Sequence, residues 1–236
     1  MSTQYSPKVV TDGLVFTIDA ANTKSYTSGS TIVSSLINNY TGSFTNGTSY
    51  TSSNGGVFTF DGINDYITIS NPQQLNPGVG SFSLEVWCKT NQQAIGNVAL
   101  EARGTSLWGI LLALDYPYGS KKITLFVNPN DQASQKTYSS TTAPAVTGSW
   151  QHIVTTLNRT TNTIFFYYNG IQTGNSASLL FTGSVDPGSS YRYWVGGDLG
   201  GNPMNGNIAI SRQYNRALSA QEVLQNYNAT KTRFEL

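Results

Sequence analysis

Apolar residues recur at every second position through most of this chain, and the polar positions between them are mainly Ser, Thr and Asn. Leu14, Phe16 and Ile18 alternate with Val15, Thr17 and Asp19, which predicts an opening strand. Residues 57–69 read as two alternating strands around a turn built from Gly62, Asn64 and Asp65, and so as a hairpin. Residues 81–89 put Phe82, Leu84, Val86 and Cys88 on one face and Glu85 and Trp87 on the other. Further strands are predicted over 98–102, 107–114, 122–127, 150–157 and 163–168. The last of these turns at Asn169-Gly170, a strong short hairpin signal. Residues 27–54 are polar, yet Ile32, Val33, Leu36, Ile37 and Tyr40 punctuate them; an ordered covering loop with one or two short strands is expected.

The end of the chain changes period. In residues 208–214, Ile208, Ile210 and Arg212 share one face of a strand and Ala209, Ser211 and Gln213 the other. Ser219 with Glu222 then forms a capping box, and Leu218 with Val223 a hydrophobic staple. Ala220, Val223, Leu224 and Tyr227 follow at helical spacing as an apolar stripe. About twelve short strands with one terminal helix predict an all-β fold, an antiparallel jelly-roll β-sandwich, as one domain over residues 1–236.

Composition narrows the partners. Charged residues make up 11% of the 236 positions and the net charge is +1, with no basic run. Nucleic acid and anionic membrane both need a basic face, so neither is expected as partner. No apolar run approaches the ~20 residues that span a bilayer, and the first residues carry no apolar secretory core. Cys88 is the only cysteine, which rules out an internal disulfide; its place among apolar neighbours predicts a buried thiol.

Several stretches resemble the laminin-G-like jelly rolls of the concanavalin A-like lectin/glucanase superfamily. They are Phe60-Asp61-Gly62 with Asp65-Tyr66-Ile67, Phe82-Ser83 with Glu85 and Trp87, Gly148-Ser149-Trp150 with His152, and Tyr168-Asn169-Gly170. The most specific is Tyr214-Asn215-Arg216-Ala217-Leu218-Ser219, preceded by Gly206 and Ile208. Where those proteins carry an acidic pair, this chain has Ala209 and Ile210. Residues 12–26 resemble the opening segment of laminin-G-like proteins from tailed phages and large aquatic viruses. That resemblance implies a virion setting, with other virion proteins or a cell-surface glycan as partner and a homo-oligomeric state.

Glycoside hydrolysis needs two carboxyl groups facing each other across a bond. Of four glutamates, Glu222 is spent on capping and Glu235 is terminal, leaving Glu85 with Glu101 as a remote pair. His152 is the only histidine and sits mid-strand, so triad and zinc chemistry have no second ligand. No catalytic residue is expected, and the chain reads as a non-enzyme. Calcium is left open through Asp19, Asp61, Asp65 and Asp198 at turns and strand ends, where the same carboxylates equally close Asx turns. Sugar binding would draw on Trp108, Tyr116, Tyr118, Tyr191, Trp194 and Asn202, although strand aromatics also serve as cross-strand pairs. The leading expectation is a non-enzymatic virion structural or adhesion protein, such as a capsid decoration, fibre or tail component. A free carbohydrate-binding lectin module, with or without calcium, is the alternative, and a glycan hydrolase a distant third.

Overall fold

A computed structural model of the chain describes residues 7–91, 97–104, 109–130, 135–174, 177–185, 191–197 and 201–236. The strands, in chain order, begin with β1 (Leu14–Asp19), β2 (Ile32–Ser34), β3 (Thr41–Thr45), β4 (Ser49–Thr51), β5 (Val57–Asp61) and β6 (Tyr66–Ile69). Next come β7 (Phe82–Thr90), β8 (Asn97–Arg103), β9 (Ile110–Leu114), β10 (Ile123–Val127), β11 (Lys136–Ser139) and β12 (Trp150–Asn158). The set ends with β13 (Thr163–Tyr168), β14 (Ile171–Gln172), β15 (Ala177–Ser178), β16 (Arg192–Val195) and β17 (Asn205–Tyr214), followed by helix α1 (Ala220–Thr230). The extra strands over the expected dozen are short pieces of two to five residues in segments rich in Ser, Thr and Gly.

The strands form two antiparallel sheets packed as a sandwich, as the alternating pattern predicts. One runs β14-β13-β12-β7-β17-β5-β4, with β1 paired to β17 and β15 to β13; the other runs β11-β10-β9-β8-β16-β6-β3-β2. Inward positions of both build one core, with Phe16, Phe58, Phe82, Leu84 and Val86 from the nine-stranded sheet and Ile67, Leu100, Leu112, Leu125 and Tyr193 from the eight-stranded sheet. Cys88 is fully buried among them, and burial pushes its thiol up to about 12.

Three local expectations are corrected. Residues 57–69 are not a hairpin, because β5 pairs with β17 and β4 while β6 pairs with β16 and β3 in the other sheet. The segment is a corner between sheets, and strand periodicity alone does not show which sheet a strand joins. The corner is closed by Asp65, whose Oδ1 accepts from Gly47 N at 2.6 Å and whose Oδ2 accepts from Asp61 N at 3.0 Å. Second, Ile208 and Ile210 do not share a face. A bulge at Ala209 shifts the register, so Ile208 lies opposite Cys88 in the core while Ile210 lies opposite Trp87 on the outer face. Third, α1 buries Val223 and Asn226, not Leu224, which is exposed. A polar residue is wanted on the buried face of the helix because a charged group waits beneath it.

That group is Glu85, pointing outward from β7 under α1 and fully buried. Arg212 of β17 pairs with its Oε1, His152 Nε2 lies 3.1 Å from the same oxygen, and Asn226 Nδ2 donates to Oε2 at 2.7 Å. Burial by itself would raise the carboxyl; the Arg212 charge, helped by the adjacent His152 and the Asn226 hydrogen bond, overcomes it and holds the group at about 2. Next to this cluster Trp87 stacks on Phe234 with centroids 4.2 Å apart, which fastens the tail of the chain to the sheet. The capping box of Ser219 and Glu222 is present as expected, and Leu218 and Val223 share one apolar cluster with Val154, Tyr167 and Tyr214. Among the described residues no helix is long and apolar enough to cross a membrane.

Candidate functional site

The outer face of the eight-stranded sheet carries the aromatic pair on which a site can be built. In β16, Tyr193 and Val195 point into the core, so the alternation turns Trp194 outward. In β6, Ile67 and Ile69 point inward, which turns Tyr66 to the same outer face. Trp194 lies opposite Thr68, so Tyr66 is its diagonal neighbour two residues along. The rings stack at 4.0 Å between centroids and 20° between planes. The Arg192 guanidinium lies 5.4 Å from the Trp194 ring.

Beside this pair opens a groove of about 380 Å³. Its lining comes from the β5–β6 corner (Ile63, Asn64 and Asp65), from Gly197, Gly201 and Pro203, and from Asn46. Asn46 Nδ2 donates to Asn64 O at 2.5 Å, which leaves the Asn46 Oδ1 and the Asn64 amide group for a ligand. Trp194 is 5% exposed and its Nε1 is buried without a hydrogen-bond partner among the described residues. A buried N–H left unpaired is costly, and Tyr66, only half-buried, is the ring of the pair more open to the groove. Gly197 makes the closeness possible: a Cβ there would lie 2.4 Å from Tyr66 Cβ.

Of the residues expected to bind sugar, Trp194 faces this groove, and Tyr66, Asn46 and Asn64 join it without having been expected. Tyr66 was legible as outward from the alternation within β6, but its meeting with Trp194 depends on β6 and β16 being neighbours, which local pattern does not show. Tyr116 packs edge-on against Phe126 with centroids 4.8 Å apart, over the outward cluster of Val98, Leu111 and Ala113. Tyr118 is 48% exposed at the turn beyond it. Tyr191 is buried in the core. Asn202 is tied to the sheet, its carbonyl accepting from Val98 N at 3.0 Å. Trp108 lies outside the described residues.

The carboxylates expected around calcium are not gathered. Asp61 Oδ1 accepts from Ile63 N at 2.8 Å, which is an Asx turn, and both oxygens of Asp65 are taken by backbone N–H groups. Asp19 lies elsewhere, accepting from Arg233 at 2.7 Å and from Ala21 N at 2.9 Å, and Asp198 lies outside the described residues. Among the described residues no group of three His, Cys, Asp or Glu is placed to hold a metal ion. Burial raises the Asp65 pKa, against the lowering effect of the Gly47 and Asp61 N–H groups.

Glu85 and Glu101 cannot form a hydrolytic pair. Their inward neighbours Leu84, Val86, Leu100 and Ala102 all lie in the core, so the two glutamates point out of opposite sheets. A core roughly 10 Å thick separates those sheets. Hydrolysis needs carboxyl groups about 5–9.5 Å apart with the bond between them.

An antiparallel sandwich with a stacked aromatic groove on one outer face, and a capped helix closing the other, defines a jelly roll of the lectin type in architecture. Residues 60–224 match the Laminin_G_3 family of the concanavalin A-like lectin/glucanases superfamily, and the chain belongs to it. No curated protein matches the chain in sequence. Among solved structures, it is similar to domain 4 of AbnA, a GH43 extracellular arabinanase from Geobacillus stearothermophilus, in complex with arabinotriose. The TM-score is 0.68 at 18% identity, over 91% of this chain and 98% of that one. It is similar to the binding domain of Paraclostridial Mosquitocidal Protein 1, with TM-score 0.69 at 15% identity over 92% of this chain and 52% of that one. Trypanosoma rangeli sialidase gives TM-score 0.67 at 15% identity, over 95% of this chain and 34% of that one. The chain therefore spans about half of the mosquitocidal binding domain and a third of the sialidase. At these identities the likeness is one of fold.

Proposed function

We propose that residues 1–236 form a non-catalytic carbohydrate-binding domain whose glycan lies in the groove beside Tyr66 and Trp194. The observation that carries this is the half-buried Tyr66 ring, held on Trp194 at 4.0 Å, in a groove that also offers the Asn46 and Asn64 amides. An aromatic surface with a few convergent amide groups is what an uncharged sugar ring needs, since C–H faces stack and hydroxyls exchange hydrogen bonds. The same architecture in a domain solved with arabinotriose supports the reading. The failure of Glu85 and Glu101 to meet supports binding over hydrolysis.

The biological setting proposed with it is adhesion, as a multi-copy, homo-oligomeric component of a virus particle. This rests on the resemblance of residues 12–26 to phage and aquatic-virus proteins. Co-purification with particles at fixed stoichiometry tests it. The site itself is tested on a broad glycan array, with calcium and then with EDTA, using the wild type, Tyr66→Ala and Trp194→Phe. Wild-type binding that both variants weaken is the expected result. Silence on every glycan, or binding indifferent to both substitutions, overturns the assignment, and loss with EDTA would require a metal at the site.

A further inference from the structure

A second groove, of about 470 Å³, lies on the opposite outer face, where α1 stops covering the nine-stranded sheet. Its floor is the outward face of β12 and β13, formed by Thr156, Phe165 and Tyr167. Phe165 is only half-buried, so part of an aromatic ring is open at the bottom of the groove. One rim is made by Asn158, Thr161 and Thr163, with Gln172 of β14 at the end.

The rim has hydrogen-bonding capacity to spare. Asn158 Oδ1 accepts from Thr160 N and Thr161 N, at 2.9 and 3.1 Å, which leaves its Nδ2 donors. Gln172 Nε2 donates to Gly174 O at 2.8 Å, which leaves its Oε1. Thr161 and Thr163 share one hydrogen bond of 2.7 Å between hydroxyls, so one hydroxyl proton has no acceptor in that pair. Both donors and acceptors are therefore present beside an aromatic floor.

Charge selects the ligand. Glu222 is the one charged residue among the described residues lining the groove. Both its oxygens accept from Arg216, at 2.7 and 2.9 Å, and Ser219 N also donates to it at 2.9 Å. The Glu222 N–H at the start of α1 is itself capped by the Ser219 hydroxyl. Neither an anion nor a cation finds an unspent countercharge there.

We infer that this groove is a second sugar site, taking a neutral mono- or oligosaccharide on the Phe165 ring. With the Tyr66–Trp194 groove on the other sheet, it makes the domain bivalent, with two glycan contacts pointing away from each other. Such an arrangement cross-links chains or surfaces, which a single site does not.

The test is an NMR titration of the ¹⁵N-labelled chain with arabinotriose, cellotriose, maltotriose and mannotriose, with sialyllactose as the acidic control. At least one neutral sugar should give saturable shifts at the amides of residues 158–172, separately from those around 64–66 and 194. Phe165→Ala should weaken the first set roughly tenfold, the cost of one lost ring contact, and leave the second set unchanged. Gln172→Ala, an exposed position that does not threaten folding, should weaken the first set as well. Shifts confined to Tyr66 and Trp194 would overturn the second site and leave the proposed function standing. Shifts confined to residues 158–172 would keep the second site and overturn the assignment of the first. No shifts with any neutral sugar, or shifts at residues 158–172 that both variants leave unchanged, would overturn the second site.

Discussion

Asn226 and Glu85 meet across the seam between the terminal helix and the sheet, with the Asn226 amide donating to Glu85 Oε2 at 2.7 Å. The same amide donates to Tyr214 Oη at 2.9 Å, and Asn226 Oδ1 accepts from Val10 N at 2.8 Å. One side chain thus satisfies three elements, and all three partners are buried. Asn226→Ala leaves a carboxylate oxygen, a phenol and a backbone N–H short of partners. A loss of about 3 kcal/mol is expected, from roughly 1–3 kcal/mol per stranded buried group. Thermal unfolding should shift down by roughly 6–12 °C; an unchanged midpoint would show that the helix does not depend on this contact.

Acid stability follows from the same carboxyl. Glu85 sits at about 2 in the folded protein against an ordinary 4.5, so its contribution is fully present above pH 4.5 and is lost as pH falls toward 2. The contribution is on the order of 3 kcal/mol at neutral pH, since one pKa unit is worth about 1.4 kcal/mol. Glu85→Gln should lower stability at pH 7, because Arg212 is left buried without its countercharge. It should also flatten the decline between pH 4.5 and 2. Denaturant melts of both proteins across that range decide it, and parallel pH profiles would refute the role given to Glu85.

Cys88 should be inert while the chain is folded. Its thiol is fully buried and pushed up to about 12, so almost no thiolate is present at pH 8. Ellman's reagent should titrate nothing in native buffer and one thiol in 6 M guanidinium. Rapid native labelling would mean that the strand pair around Cys88 opens readily.

Gly197 is expected to matter through Tyr66. A methyl group at position 197 would sit 2.4 Å from Tyr66 Cβ, so Gly197→Ala must push the Tyr66 ring off Trp194. The near-ultraviolet signal of the stacked pair should change, and glycan binding at that groove should fall at least as far as in Tyr66→Ala. Binding equal to wild type would separate the stack from the site.

How far the site was legible can be seen residue by residue. Trp194 was recognisable as a candidate because an aromatic residue just ahead of the Gly196-Gly197 turn can serve as a sugar platform. Tyr66 lay inside a stretch that read as a hairpin, which drew attention to its turn and away from its outward ring. Asn46 sits in a polar run with nothing to mark it, and only the loop's return to Asn64 gives it a place. The expected calcium carboxylates carried the opposite lesson: Asp61 and Asp65 look like ligands in one dimension, yet Asp61 Oδ1 and both Asp65 oxygens accept from backbone N–H groups.

By itself the sequence determined what depends on neighbours a few residues apart. Alternation set the strands and the burial of Phe82, Leu84, Val86 and Cys88, and capping chemistry set the start of α1, because both are local consequences of backbone geometry. The tertiary structure alone decided which sheet each strand joined, the bulge that turned Ile210 away from Ile208, and the choice of Asn226 over Leu224 for the buried face of the helix. It also decided that Glu85 and Glu101 point apart and that Tyr66 and Trp194 meet. Each of those outcomes depends on pairing between distant segments, whose energy comes from burying two surfaces together and is written in neither segment alone.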